Sequence, residues 1–164
     1  MTIPVVTIVG RPNVGKSSLL NCLAKRRISI VEPTSGVTRD RIATEIQYKD
    51  YVFELIDTGG MGVKDVDGLT DEIEAPIEIV LFQADIILFV VDVQDGITPL
   101  DVMVAEKLRR LKKKVLIIAN KVDTPKLEYH VPDFNKLGFG EPVPMSALEG
   151  FGRSDLLDRV ISLL

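Results

Sequence analysis

VVTIVGRPNVGKSSLL, residues 5–20, is the stretch from which the fold is read. The apolar run Val5, Val6, Ile8, Val9 reads as a buried strand that stops at Gly10, and Ser18 to Ala24 reads as a helix. Between them, Gly10, Gly15, Lys16 and Ser17 match G-x-x-x-x-G-K-[ST], a loop that wraps a phosphate. Glycine lets the backbone approach the anion closely, and successive N–H groups aim at it from the start of a helix. Lys16 is placed to reach the β- and γ-phosphates and the Ser17 hydroxyl to ligate Mg²⁺. The expected cradle is Gly10, Arg11, Pro12, Asn13, Val14, Gly15, Lys16, Ser17 and Ser18.

Outward from that loop, 164 residues suit one domain that buries roughly two-thirds of its unfolded surface. Hydrophobic residues make up 46% and aromatics only 5%, so the core must come from Val, Ile and Leu, the residues of a buried parallel sheet. A net charge of −4 gives no global attraction to nucleic acid, and no DNA partner is expected. A single cysteine excludes an internal disulfide framework. No signal peptide is recognisable, and the longest apolar run, Ile86 to Val91, is too short to span a bilayer. The expectation is a cytoplasmic protein with no membrane partner.

Four apolar runs stand out: Val5–Val9, Tyr51–Ile56, Ile86–Val91 and Val115–Ala119. Helical spacing joins Val104, Leu108 and Leu111, and again Leu157, Val160, Ile161 and Leu164. Strands alternating with helices predict a doubly wound α/β sheet with ligands at the carboxyl ends of its strands. Ile42–Lys49 and Tyr51–Ile56, separated by Asp50, predict an antiparallel hairpin. Periodicity lapses from Lys25 to Arg41 and from Thr58 to Thr70, which predicts two long loops of the kind that carry function.

Asp57-Thr58-Gly59-Gly60 ends the second strand. D-x-x-G alone is usually a turn. After a P-loop, its Asp suits a Mg²⁺-supporting role and the Gly60 N–H suits contact with a γ-phosphate. Asn120-Lys121-Val122-Asp123 follows the strand Val115–Ala119. By itself it reads as a solvated turn. In this context the Asp123 carboxylate is placed to accept from both the ring N–H and the exocyclic amine of guanine, which adenine does not offer. At about 1.5–3 kcal/mol per charged hydrogen bond, two supply discrimination of roughly a hundredfold or more. Ser146-Ala147-Leu148 offers a backbone N–H for the guanine oxygen, and only its place in the order makes it informative. Thr38 is the expected second Mg²⁺ ligand, with Thr34 as the other choice in that loop.

The order GRPNVGKS, Thr38, DTGG, NKVD, SAL resembles the G-motifs of translation-factor-class GTPases over residues 5 to 148. GRPNVGKSSLLNCL, GVTRDRI, LIDTGGMG and SALEGFGRSDLLD are similar to the first G domain of the Der (EngA) family of bacterial GTPases. That resemblance implies a three-layer G domain with a mostly parallel six-stranded sheet and one antiparallel strand. It also implies GTP and GDP as ligands, Mg²⁺, and a role in assembly of the large ribosomal subunit. A full-length protein would carry a second G domain, of which residues 1–164 would be an N-terminal piece; a single-domain relative is the other reading.

Met61 stands where Ras-like GTPases carry a water-orienting glutamine, and a thioether cannot do that work. Relatives of the Der, MnmE and Era type share a hydrophobic residue there. In MnmE-like GTPases an Asn at the place of Asn13 coordinates K⁺, so the resemblance implies faster hydrolysis in K⁺ than in Na⁺; a loop-shaping Asn is the other reading of Asn13. The catalytic set expected is Lys16, Asn13, Thr38 and Gly60, and the metal set Ser17, Thr38 and Asp57. Base reading falls to Asn120, Asp123 and Ala147, flanked by Ser146 and Leu148, with Lys121 covering the base. Competing readings are a small-molecule kinase, another MnmE- or Era-like domain, and a GTP-binding switch with negligible hydrolysis. Lys107–Lys114 holds six basic residues in eight. It reads as a solvated helix face complementing the helix dipole or, alternatively, as an RNA-facing patch that Lys25-Arg26-Arg27 would extend. His130 reads as a surface residue and Cys22 as packed rather than reactive.

Overall fold

The computed structural model describes residues 3–24, 31–33, 40–60 and 71–164. Its strands are β1 (Val5–Val9), β2 (Val31–Pro33), β3 (Asp40–Tyr48), β4 (Tyr51–Asp57), β5 (Ile86–Asp92), β6 (Lys114–Asn120) and β7 (Val143–Pro144). They form one sheet in the order β2-β3-β4-β1-β5-β6-β7. β3 alone runs against the rest, antiparallel to both β2 and β4, whereas the other pairings are parallel. The six-stranded sheet with one antiparallel strand is therefore present. The three-residue β2, inside a stretch the sequence reads as loop, adds an edge and makes it seven.

Among the described residues, four helices cover the sheet: α1 (Lys16–Ala24), α2 (Asp71–Gln83), α3 (Pro99–Leu111) and α4 (Arg153–Leu163). Alternation of side chains along a strand splits the core in two. On one face Ile86, Leu88 and Val90 of β5 join Leu19, Leu20 and Leu23 of α1 and Leu156, Leu157 and Val160 of α4. On the other, Ile87, Phe89 and Val91 join Ala105 and Leu108 of α3 and Leu81 of α2. Every residue of β5 is buried, which is why its sequence is unbroken apolar rather than alternating.

The expected hairpin forms between β3 and β4, with Tyr48 opposite Tyr51 and a two-residue Lys49-Asp50 turn. Lys49 takes φ 53°, the left-handed value such a turn needs, so the strand ends one residue before the expected boundary. Helix α3 starts on a capping box: Asp101 N–H donates to Thr98 Oγ1 (3.2 Å) and Thr98 N–H to Asp101 Oδ2 (2.9 Å). Pro125–Leu137 forms a 3₁₀ segment that the sequence reading did not assign. Three residues per turn bring Val131, Phe134 and Leu137 onto one buried face, a spacing that a 3.6-residue template does not detect. Among the described residues, no helix is long and apolar enough to cross a membrane.

Because β1, β4, β5, β6 and β7 all point the same way, the segments that follow them emerge at one edge of the sheet. Those segments contain the phosphate loop, Asp57, Asp92–Asp95, Asn120–Asp123 and Ser146.

Candidate functional site

The loop from Gly10 to Gly15 joins β1 to α1 and bends through left-handed backbone at Asn13 (φ 70°) and Gly15 (φ 100°). A Cβ at Gly15 would collide with the Asn120 amide nitrogen, so glycine is needed there for space as well as for torsion. Lys16 Nζ donates to the carbonyls of Gly10 (2.7 Å) and Arg11 (2.8 Å), folding its ammonium into the cradle. Burial pushes the Lys16 ammonium down to about 8; Asp57 opposes that shift and Arg11 reinforces it. A desolvated cation folded against the carbonyls of its own loop, at the start of a helix, suits a polyanion. Gly10, Pro12, Asn13, Gly15, Lys16, Ser17, Ser18, Thr58 and Gly59 line this cavity of about 350 Å³.

Asp57, at the end of β4, is fully buried. Its Oδ2 accepts from Ser17 Oγ at 3.2 Å and its Oδ1 from Gly59 N–H at 2.8 Å. Thr58 turns away, donating through its hydroxyl to the Ile8 carbonyl (2.8 Å) and pinning the D-x-x-G turn, which runs to Gly60, against β1. The Ser17 hydroxyl, which lines the cavity, and the Asp57 carboxylate behind it are hard oxygen donors that suit Mg²⁺. That ion is commonly held by one or two carboxylates plus substrate phosphates. Among the described residues, no group of three His, Cys, Asp or Glu side chains forms an all-protein metal cage.

The second half of the site adjoins the first. Asn120 is buried, and its amide joins two loops: Nδ2 donates to the Val14 carbonyl (2.9 Å) and Oδ1 accepts from the Ala147 N–H (3.0 Å). The amide of Ala147, expected to meet a guanine oxygen, is here donated to Asn120, so Asn120 acts first as a clamp. Lys121 Nζ reaches back to the Asn13 carbonyl (2.8 Å) and pairs with Asp92 Oδ2 (3.0 Å). Asp123 is exposed, with Ser146 Oγ donating to its Oδ1 (2.7 Å) and Gln94 Nε2 to its Oδ2 (3.2 Å). Gly15, Ser18, Asn120, Lys121, Asp123, Ala147 and Leu148 enclose a cavity of about 150 Å³ against which that carboxylate lies.

Four participants carry no motif: Asp92, Gln94, Asp95 and Asp101. Arg11 Nη2 donates to Asp95 Oδ2 (2.6 Å), and its Nε lies 3.5 Å from the fully buried Asp101 Oδ1, so Arg11 anchors the cradle to the start of α3. The available signal was positional, since Asp92 closes a strand on the ligand edge of the sheet. Thr34, Thr38, Met61 and Lys25-Arg26-Arg27 lie outside the described residues. Three of the six basic residues in the stretch Lys107–Lys114 contact other elements of the fold. Arg109 donates to the Leu137 carbonyl (2.6 Å), Lys114 to the Leu163 carbonyl (2.6 Å), and Lys113 sits 5.2 Å over the Phe82 ring. His130 is exposed beside Asp133, and burial raises the Cys22 thiol pKa.

A family model described as 50S ribosome-binding GTPase matches residues 5–121. The chain is 48% identical over all its 164 residues to GTPase Der of Rhodopirellula baltica, of which it covers 36%. It therefore spans about a third of the length of that relative. Era from Aquifex aeolicus, solved as a variant bound to GDP·AlF₄⁻, superposes with a TM-score of 0.80 at 31% identity, covering 100% of this chain and 57% of that one. Era in complex with MgGDPNP and a segment of 16S ribosomal RNA gives 0.79 at 31% identity, with the same coverage.

Proposed function

The chain belongs to the 50S ribosome-binding GTPase family, and on that premise we propose that it binds GTP and hydrolyses it to GDP and phosphate by in-line attack of a water, as a switch in large-subunit ribosome assembly. The observation that carries the reading is the Asn120 clamp. It ties the phosphate cradle at Val14 to the base pocket at Ala147 and so sets a cradle and a guanine-matching carboxylate at a constant separation. A kinase of small molecules has no use for that pairing.

In this reading Lys16 leaves its loop carbonyls for the β- and γ-phosphate oxygens, and the gain in charge pairing offsets its desolvation. The N–H groups from Asn13 to Ser17 hold the phosphate chain, and the Gly60 N–H meets the γ-phosphate. Ser17, Asp57 and Thr38 are the residues that would hold Mg²⁺, which when bound neutralises charge developing on the β- and γ-oxygens. Asp123 reads guanine, Lys121 covers the base, and Asn13 is the residue that would hold K⁺, which when bound would offset phosphate charge. The longer relatives and the Era complex with ribosomal RNA support an RNA-bearing partner for the full-length protein, in which a second G domain would follow.

The test is single-turnover GTP hydrolysis in KCl and NaCl at equal ionic strength, with Asp123→Asn assayed on xanthosine triphosphate. Faster turnover in K⁺ and a switch from guanine to xanthine preference are expected. A switch without turnover in either salt would leave a binding module. No guanine preference in the unaltered protein would overturn the reading.

A further inference from the structure

We propose that Gln94, which lies outside every nucleotide-binding motif, is the positioning residue that sets the plane of the Asp123 carboxylate and thereby the guanine selectivity of the site; this rests on the GTP reading above.

Gln94 follows β5 by two residues, and its backbone N–H donates to Asp92 Oδ1 (2.8 Å). Its side-chain amide then donates twice, to the Lys121 carbonyl (3.0 Å) and to Asp123 Oδ2 (3.2 Å). The other Asp123 oxygen is held by Ser146 Oγ (2.7 Å). One protein donor thus sits on each carboxylate oxygen. Two oxygens offer about four acceptor sites, so one per oxygen is left for a base. The terminal torsion of an Asp is broad and roughly two-fold, so an exposed carboxylate held at one oxygen swings. Held at both, it presents its two remaining acceptor sites in a defined plane. Guanine pairs with both oxygens at once, through its ring N–H and its 2-amine, and needs that plane. Hypoxanthine lacks the amine, pairs with one oxygen and needs it less. Gln94 is exposed, so its bonds count little toward folding while they direct the carboxylate.

The experiment is titration calorimetry of the unaltered chain, Gln94→Met, Gln94→Glu and Asp123→Ala with GDP, IDP and ADP, beside thermal unfolding of each. Met keeps the length of the side chain without its donors, and Glu sets a like charge against Asp123. In Gln94→Met the preference for GDP over IDP should fall roughly five- to tenfold, less than a full hydrogen bond to a charged group, because Ser146 still holds the other oxygen of the exposed carboxylate. In Gln94→Glu GDP affinity should fall more than about tenfold at low salt and recover in part at high salt, because salt screens exposed like charges. Unfolding midpoints should not move. A GDP-to-IDP ratio in Gln94→Met within twofold of the unaltered chain, while Asp123→Ala loses GDP, overturns the role of Gln94 and leaves the GTP reading standing. Equal weakening of GDP and IDP overturns it as well, since that is a general loss of the pocket. An unaltered chain that does not prefer GDP to ADP overturns both.

Discussion

Asn120→Ala should destabilise the nucleotide-free domain far more than any change to the exposed Asp123 three residues later. The substitution removes two hydrogen bonds, of 2.9 Å to the Val14 carbonyl and 3.0 Å from the Ala147 N–H. Val14 is 0% and Ala147 7% exposed, so both backbone groups are left without a partner in buried surroundings. A buried polar group stripped of its partner costs about 1–3 kcal/mol. The adjoining base cavity of about 150 Å³ lets water reach part of the gap, which favours the lower half of the sum. The expected loss is therefore about 2–4 kcal/mol, or roughly 5–15 °C in unfolding midpoint for a domain of this size. Asp123→Asn keeps an acceptor for Ser146 Oγ and should stay within about 0.5 kcal/mol of the unaltered chain. Urea unfolding followed by far-ultraviolet circular dichroism measures both, and suits a chain without tryptophan. Equal stabilities for Asn120→Ala and the unaltered chain would refute the clamp and return Asn120 to base reading alone.

Lys16 makes the site pH-sensitive in a direction that can be worked out. Its ammonium titrates at about 8 in the free cradle, and bound phosphates raise that value, so GDP binding takes up protons near pH 8 and weakens as pH rises through it. Calorimetry in buffers of different ionisation enthalpy reads the uptake, and none at pH 8 would contradict the desolvated lysine. Between pH 8 and 10.5 the unfolded chain holds the Lys16 proton more tightly than the folded one, so this group makes stability rise with pH across that window. Lys16→Met should remove that slope. Thr98→Ala breaks the capping box over the buried Asp101 and should cost about 1–2 kcal/mol, roughly 3–6 °C by thermal unfolding, without changing GDP affinity at saturation of the fold. A shift under 1 °C would mean that Pro99 alone starts the helix.

What the sequence by itself determined was whatever depends on neighbours along the chain. GRPNVGKS between an apolar run and a helix, Asp57 closing one strand and Asn120-Lys121-x-Asp123 following another are local patterns, because a strand end places the next few residues at the edge of a sheet. The apolar runs at Val5, Ile86 and Val115 form strands largely buried on both faces, which leaves no alternation to misread, whereas the strand from Tyr51 keeps an exposed first residue and buries Phe53, Leu55 and Ile56. Edge strand β2 and the 3₁₀ segment Pro125–Leu137 escaped: one is three residues long with its pairing supplied by β3, and the other repeats at three residues rather than 3.6. Only the tertiary structure decided what each polar group does at the site. Arg11 reads locally as part of the phosphate cradle, and its guanidinium pairs with Asp95, 84 residues away; Asn120 reads as a base contact and clamps Val14 across 106 residues. Asp92 and Gln94 read as nothing and hold Lys121 and Asp123. The physical reason is that a hydrogen bond is satisfied by whichever partner the fold brings within about 3 Å, and parallel strands bring together loops that the chain keeps far apart.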